Sequence, residues 1–142
     1  MDFNESLNKF LLDNTIIKAE TGTKVYCETV PDEFLYNYPL IVFSFENNDI
    51  EETFDTQDDV LQIAEIRIDV YSNKRADTLR ITKKIIKEFR NFYGKLTDEE
   101  EDKNFMTGIN YIYMQNDFER LGKNRIEYRT VTLFQFYYNE IE

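Results

Sequence analysis

The sequence predicts an α+β fold: a mixed, mainly antiparallel β-sheet with an N-terminal helix and one longer helix, at about residues 73–93, packed on it. Three observations carry this. Residues 61–71 alternate strictly, with Ala64, Ile66, Ile68 and Val70 on one side and Glu65, Arg67, Asp69 and Tyr71 on the other. The period then changes at once to that of a helix, and the chain closes on a strand, "RIEYRTVTLFQFYY", whose second half is apolar on both sides.

The elements follow in order. Asp2 with Glu5 three residues on has the spacing of a capping box, and Phe3, Leu7, Phe10 and Leu11 share a helical face, so a short helix runs to about Leu12. Asp13–Asn14 reads as a turn, as does Thr21–Thr23 around Gly22, and Lys24 to about Val30 as a strand ended by Pro31. After a loop with Tyr36 and Tyr38, "PLIVFSFE" begins on Pro39, where a strand start tolerates proline, and its apolar run predicts a strand buried on both faces.

Ser72 or Asn73 is the expected cap of the long helix. Its stripe is Leu79, Ile86, Phe89 and Tyr93, widened by Ala76, Thr82 and Ile85, and Gly94 is the expected stop. Lys74, Lys83, Lys84, Lys87 and Arg90 form a solvated basic face. "FMTGINYIYMQ" is a further strand and "NDFERLGKN" an irregular connection to the last one. There Ile126, Tyr128, Thr130, Thr132, Phe134 and Phe136 share one face, with Val131, Leu133 and Tyr137 opposite. A strand apolar on both sides, as here from Val131 to Tyr137, needs a cover on both. No internal repeat divides the chain, so residues 1–142 read as one domain.

With 42 % hydrophobic residues, 12 Phe and 10 Tyr, the chain has the core-forming content that disordered acidic proteins lack. Its 28 acids against 17 bases give a formal net charge of -11, which disfavours a grip on nucleic-acid phosphates. The acids are concentrated. Glu46, Asp49, Glu51, Glu52, Asp55, Asp58 and Asp59 fall within "ENNDIEETFDTQDD", and five more within "DEEED" at 98–102; the remainder of the chain is nearly neutral. Both stretches, at about 46–60 and 95–104, are expected as mobile, solvated loops, since like charges resist compaction.

Several chemistries are disfavoured. The sequence has no His, which removes the usual general base and any Ser/His or Cys/His pair. Its four glycines are too scattered for a phosphate-binding loop. "DTQDD" lacks the spacing of a calcium loop, and no His or paired Cys supports a transition metal, so neither metal nor cofactor is expected. Cys27, the one cysteine, cannot form an intrachain disulfide and reads as a small half-buried hydrophobe in a reducing compartment. The acidic N-terminus is unlike an export signal, and no apolar run approaches the ~20 residues of a membrane span, so a product made in the cytoplasm and free of membrane is expected. No enzymatic role is expected.

The order of these signals resembles the tail terminator, or tail-completion, proteins of long-tailed bacteriophages. The likeness is carried by the N-terminal helix, "KVYCETVPDEF", "NYPLIVFSFE", a polar stretch, "IRIDVYSNKRADTLRITKKIIKEF", "INYIYMQNDFER" and the closing "RIEYRTVTLFQFYY", which span nearly the whole chain. It departs from many relatives in lacking a glycine-rich tip between strands and in its unusually acidic "ENNDIEETFDTQDD". The resemblance implies a homohexameric ring at the head-proximal end of the virion tail, for which Val131, Leu133, Phe134, Phe136 and Tyr137 of the closing strand are the expected subunit interface. Such a ring contacts the major tail tube protein and the head-completion (stopper) protein, and phage DNA passes through it without specific binding. Carboxylates facing the bore or the tube would repel phosphate, which is the expected role of Glu46 to Asp59. Another neck connector or a sheath terminator is the neighbouring reading, and an acidic DNA mimic that inhibits a nuclease is the reading from a different class.

Overall fold

The structure, a computed structural model, describes residues 1–52 and 60–141; for 47–52 and 60 it describes the backbone alone. Helices α1 (Phe3–Asp13) and α2 (Thr15–Thr21) precede strand β1 (Val25–Cys27), a short 3-10 turn (Asp32–Phe34), and strands β2 (Leu40–Glu52) and β3 (Val60–Ser72). Helix α3 (Arg75–Phe89) follows, then β4 (Gly94–Lys95), β5 (Asn104–Gly122) and β6 (Arg125–Glu140). The strands form one six-stranded sheet in the order β1-β2-β3-β6-β5-β4, antiparallel except for β1 against β2. The α+β class is as the sequence predicts.

The predicted capping box is present: the Asp2 carboxylate accepts from the Glu5 N–H at 2.8 Å, and Glu5 accepts from the Asp2 N–H at 3.3 Å. Phe3, Leu7 and Leu11 are buried by this helix. The expected turn at Asp13–Asn14 is instead a helix-to-helix joint. The Asn14 side chain accepts from Ile16 N–H and Ile17 N–H and so starts α2, which ends where Gly22 takes a positive φ of 61°. Asparagine serves turns and helix caps equally, and the seven-residue helix is too short to show a period.

All three helices lie on one sheet face. The β3 residues Ala64, Ile66, Ile68 and Val70, predicted as core, are fully buried there beside Phe43, Phe134 and Phe136. Helix α3 starts at Arg75, later than expected, and Lys74 supplies no side-chain cap. Ser72 instead donates to the Asp77 carboxylate at 3.1 Å and accepts from the Lys74 N–H. Its buried stripe is Thr78, Ile81, Thr82, Ile85 and Phe89, rotated from the expected one: Leu79 and Ile86 are half-buried, Ala76 is exposed, and Tyr93 lies beyond the helix end, packed edge-on against Phe105. The helix stops at Phe89 rather than near Gly94.

A carboxylate ties α2 to α3. Glu20 pairs with Arg80 at 2.8 Å and Lys84 at 2.6 Å, and these partners draw its pKa from an ordinary 4.5 down to about 2. A depressed carboxylate contributes stability above its unfolded value and loses it as pH falls through the folded one. Glu20→Gln should therefore lower the denaturation midpoint near neutral pH, and the difference from the parent should shrink between about pH 4.5 and pH 2. Urea titrations at several pH values check this; a difference that stays constant down to pH 2 contradicts it.

Two stretches depart from the loops predicted. β2 continues through residues 47–52, paired with β3 from Asn47↔Glu65 to Glu52↔Val60, so the first half of the acidic segment is strand and not loop. A ladder pairs backbone groups and so does not require the carboxylates on it to be neutralised. In the second stretch β4 pairs with β5, Leu96 and Thr97 are buried, and so is Asp102. Burial pushes the Asp102 carboxyl upward, yet hydrogen bonds from Thr97, Asn104 and Ser6 outweigh it and hold the pKa below the ordinary value. This one acid anchors the connection while Asp98, Glu100 and Glu101 remain exposed.

Candidate assembly interface

The expected irregular connection "NDFERLGKN" does not exist as such. β5 runs on to Gly122, turns through Lys123 and Asn124, and returns as β6, so the two strands make a long hairpin arm. Helix α3 packs over β3 and β6. β4 pairs with β5 only at Phe105 and Met106, so no described strand lies against the outer side of β5 from Thr107 to Gly122. An unpaired edge of that length presents a row of free N–H and C=O groups to a neighbour.

The same strand is apolar where it is bare. Tyr111 is 46 % exposed, Ile112 45 %, Tyr113 44 % and Phe118 62 %. Toward the base of the arm, Ile109, Tyr111 and Ile112 face Ile86, Phe89 and Phe134 across an open cleft of about 420 Å³, rimmed by Arg90, Asn91 and Asn110. A second exposed group, Phe34, Leu35 and Tyr36, sits on the 3-10 turn and the residues after it; Phe34 stacks on Tyr26 of β1 at 6.1 Å.

Beyond the β3–β6 ladder, which runs from Ser72↔Tyr128 to Leu61↔Asn139, arginines brace the arm against the body. Arg75, at the start of α3, donates to Arg129 O at 3.0 Å, Thr130 Oγ1 at 3.3 Å, Asn116 Oδ1 at 3.4 Å and Asp117 O, and its guanidinium lies 4.9 Å over the Tyr128 ring. Arg129 pairs with Asp117 across the two strands. On the face away from the helices, Arg67 grips the buried Asp69 through two hydrogen bonds of 3.1 and 3.0 Å. Burial raises the Asp69 pKa although Arg67 opposes it, so this carboxylate is desolvated at a cost and held by its partner. Tyr38 donates to Glu127 at 2.6 Å, and burial with that carboxylate raises the phenol pKa.

The residues predicted for the interface divide. Phe134 and Phe136 belong to this chain's own core, at 1 % and 0 % exposure, packed edge-on against Phe89 at 5.2 Å each; this corrects their expected place between subunits. Val131, Leu133 and Tyr137 lie on the opposite face, where Val131 is buried and the other two are half-buried. Glu46 occupies the bulge between Phe45 and Asn47, its carboxylate 3.8 Å from Arg67. Asp49, Glu51 and Glu52 are on β2, whereas Asp55, Asp58 and Asp59 lie outside the described residues. Sequence reading missed Tyr111 to Phe118 as a surface, although "NYIYMQ", apolar in both alternations, carried the signal.

Among the described residues no cluster of three acids, His or Cys could hold a metal, and no helix is long and apolar enough to cross a membrane. Cys27 is half-buried, with the Asn4 side chain 3.3 Å from its sulfur.

No protein-family model matches the sequence, and no curated protein matches it. A chain of a solved virion shares this fold. It is part of the virion of the native gene transfer agent (GTA) particle, and the likeness covers 96 % of this chain and 94 % of that one, with a TM-score of 0.62 and 14 % identity. At that identity the two have a fold in common across their full extent.

Proposed function

We propose that this chain is a structural protein of a phage-like virion, a tail terminator that closes the finished tail tube as a homohexameric ring and forms the joining surface to the head. The observation that carries the proposal is the end-to-end fold likeness to a chain of the gene transfer agent virion. Three features support it. The bare β5 edge and its exposed aromatics need a protein neighbour rather than a small ligand. The net charge of -11 suits a conduit that lets DNA slide without adhering. The protein performs no reaction in this role; its partners are its own copies, the tube protein and the head-completion protein, and its place is the head-proximal end of the tail.

Another neck connector or a sheath terminator would use the same fold and surfaces, and differs in the ring's position along the particle. The acidic DNA mimic draws no support from the fold likeness.

The test is to produce particles from a genome that lacks this protein and image them. Tubes of irregular length beside heads without tails are expected. Tubes of normal length attached to filled heads would overturn the assignment.

A further inference from the structure

We propose that the Phe34–Leu35 corner of one copy seats in the α3–β5 cleft of the next copy, so that copies join head to tail through two unlike surfaces. This rests on the ring reading above and names the contact that closes the ring.

The two surfaces are complementary in shape class. Phe34 and Leu35 are 41 % and 43 % exposed on a tight turn after β1, where Leu35 shares an open cleft with Leu121 of the arm tip. The α3–β5 cleft lies at the base half of β5, at Ile109 to Ile112, away from the arm tip that Leu35 borders in its own chain. Its floor is aromatic and aliphatic, from Phe89, Phe134, Ile86 and Ile109, and it stands open because α3 covers β6 but stops short of β5.

They are also opposite in charge. The corner is flanked by Glu28, Asp32 and Glu33, all exposed, against one cation, Arg125, whose guanidinium lies 5.1 Å over the Tyr36 ring. Arg90 rims the cleft, and Lys83 and Lys87 precede it on the same helix; all three are exposed, with no carboxylate in ion-pair range among the described residues, whereas Arg80 and Lys84 are already held by Glu20. Placing like surfaces together would set base against base and acid against acid. Placing unlike surfaces together pairs the charges around an apolar centre, and repetition of such a contact closes a ring or propagates a filament.

Two double variants test this. Lys87→Glu with Arg90→Glu makes both surfaces acidic, and Asp32→Lys with Glu33→Lys makes both basic; all four side chains are exposed, so thermal unfolding should be close to that of the parent. By native mass measurement each variant alone should assemble about a hundredfold more weakly than the parent. An equimolar mixture should recover closed rings of alternating composition. If the parent forms rings and either variant does so equally well, or the mixture of two folded variants fails to recover them, this contact is wrong while the ring reading stands. A parent that forms no ring, either alone or at tube ends, removes both.

Discussion

Phe89→Ala should be the most damaging single truncation in the helix layer, with a loss of about 3–5 kcal/mol and a fall in Tm of roughly 10–20 °C. Phe89 is the last residue of α3 and is 1 % exposed. It stacks on Phe10 of α1 at 5.3 Å and meets Phe134 and Phe136 of β6 edge-on at 5.2 Å each, so one ring joins two helices to a central strand. Truncation leaves a cavity bounded by three other aromatics, which cannot collapse without moving α1 or α3. Urea denaturation followed by circular dichroism measures the loss. A cost under about 1 kcal/mol would mean that the helices are held chiefly by something other than this contact.

What could be read in advance follows from how local each signal is. β3 is legible because its alternation is unbroken from Ala64 to Tyr71 and Ala64, Ile66, Ile68 and Val70 are all buried, so period and burial agree there. β5 is not, because its ladder to β6 shifts register three times, at Met106/Gly108, Tyr111/Tyr113 and Arg120/Gly122, and each extra residue resets the alternation. The charges of Asp117, Glu119 and Arg120 then resembled a loop, although in the arm they face solvent or pair across it. The two apolar faces of β6 were visible, but not which of them α3 would cover. That depends on Phe3, Phe89 and the sheet order, which are separated from β6 by long stretches of chain. For the same reason the two-sided pattern of β6 assigns Phe134 to an interface, whereas the bare apolar surface lies one strand further out, on β5.

Arg75→Ala is expected to uncouple the arm while the body stays folded. Its guanidinium serves carbonyls of Arg129 and Asp117 and side chains of Thr130 and Asn116 from a single point at the start of α3, and it covers Tyr128. Hydrogen bonds to a charged donor contribute about 1.5–3 kcal/mol, and alanine leaves several half-buried acceptors without one. The ladders of β6 to β5 and to β3 remain, so the hairpin persists, but its outer strand β5 loses its tie to the start of α3. Hydrogen–deuterium exchange should rise around residues 113–120 and 125–127, which lie outside the β3–β6 ladder, and stay unchanged in β2 and β3. Arg75→Lys should fall between the two, because an ammonium retains the charge but not the planar fork that reaches several acceptors at once. Should exchange rise evenly over the molecule, or nowhere, Arg75 is not what aims the arm. The bare edge of β5 is useful to a neighbour only while its angle to the rest of the subunit is constant, because a ring closes only if every joint repeats the same rotation. Ring formation by Arg75→Ala should therefore fail even though the apolar residues of β5 are all still present.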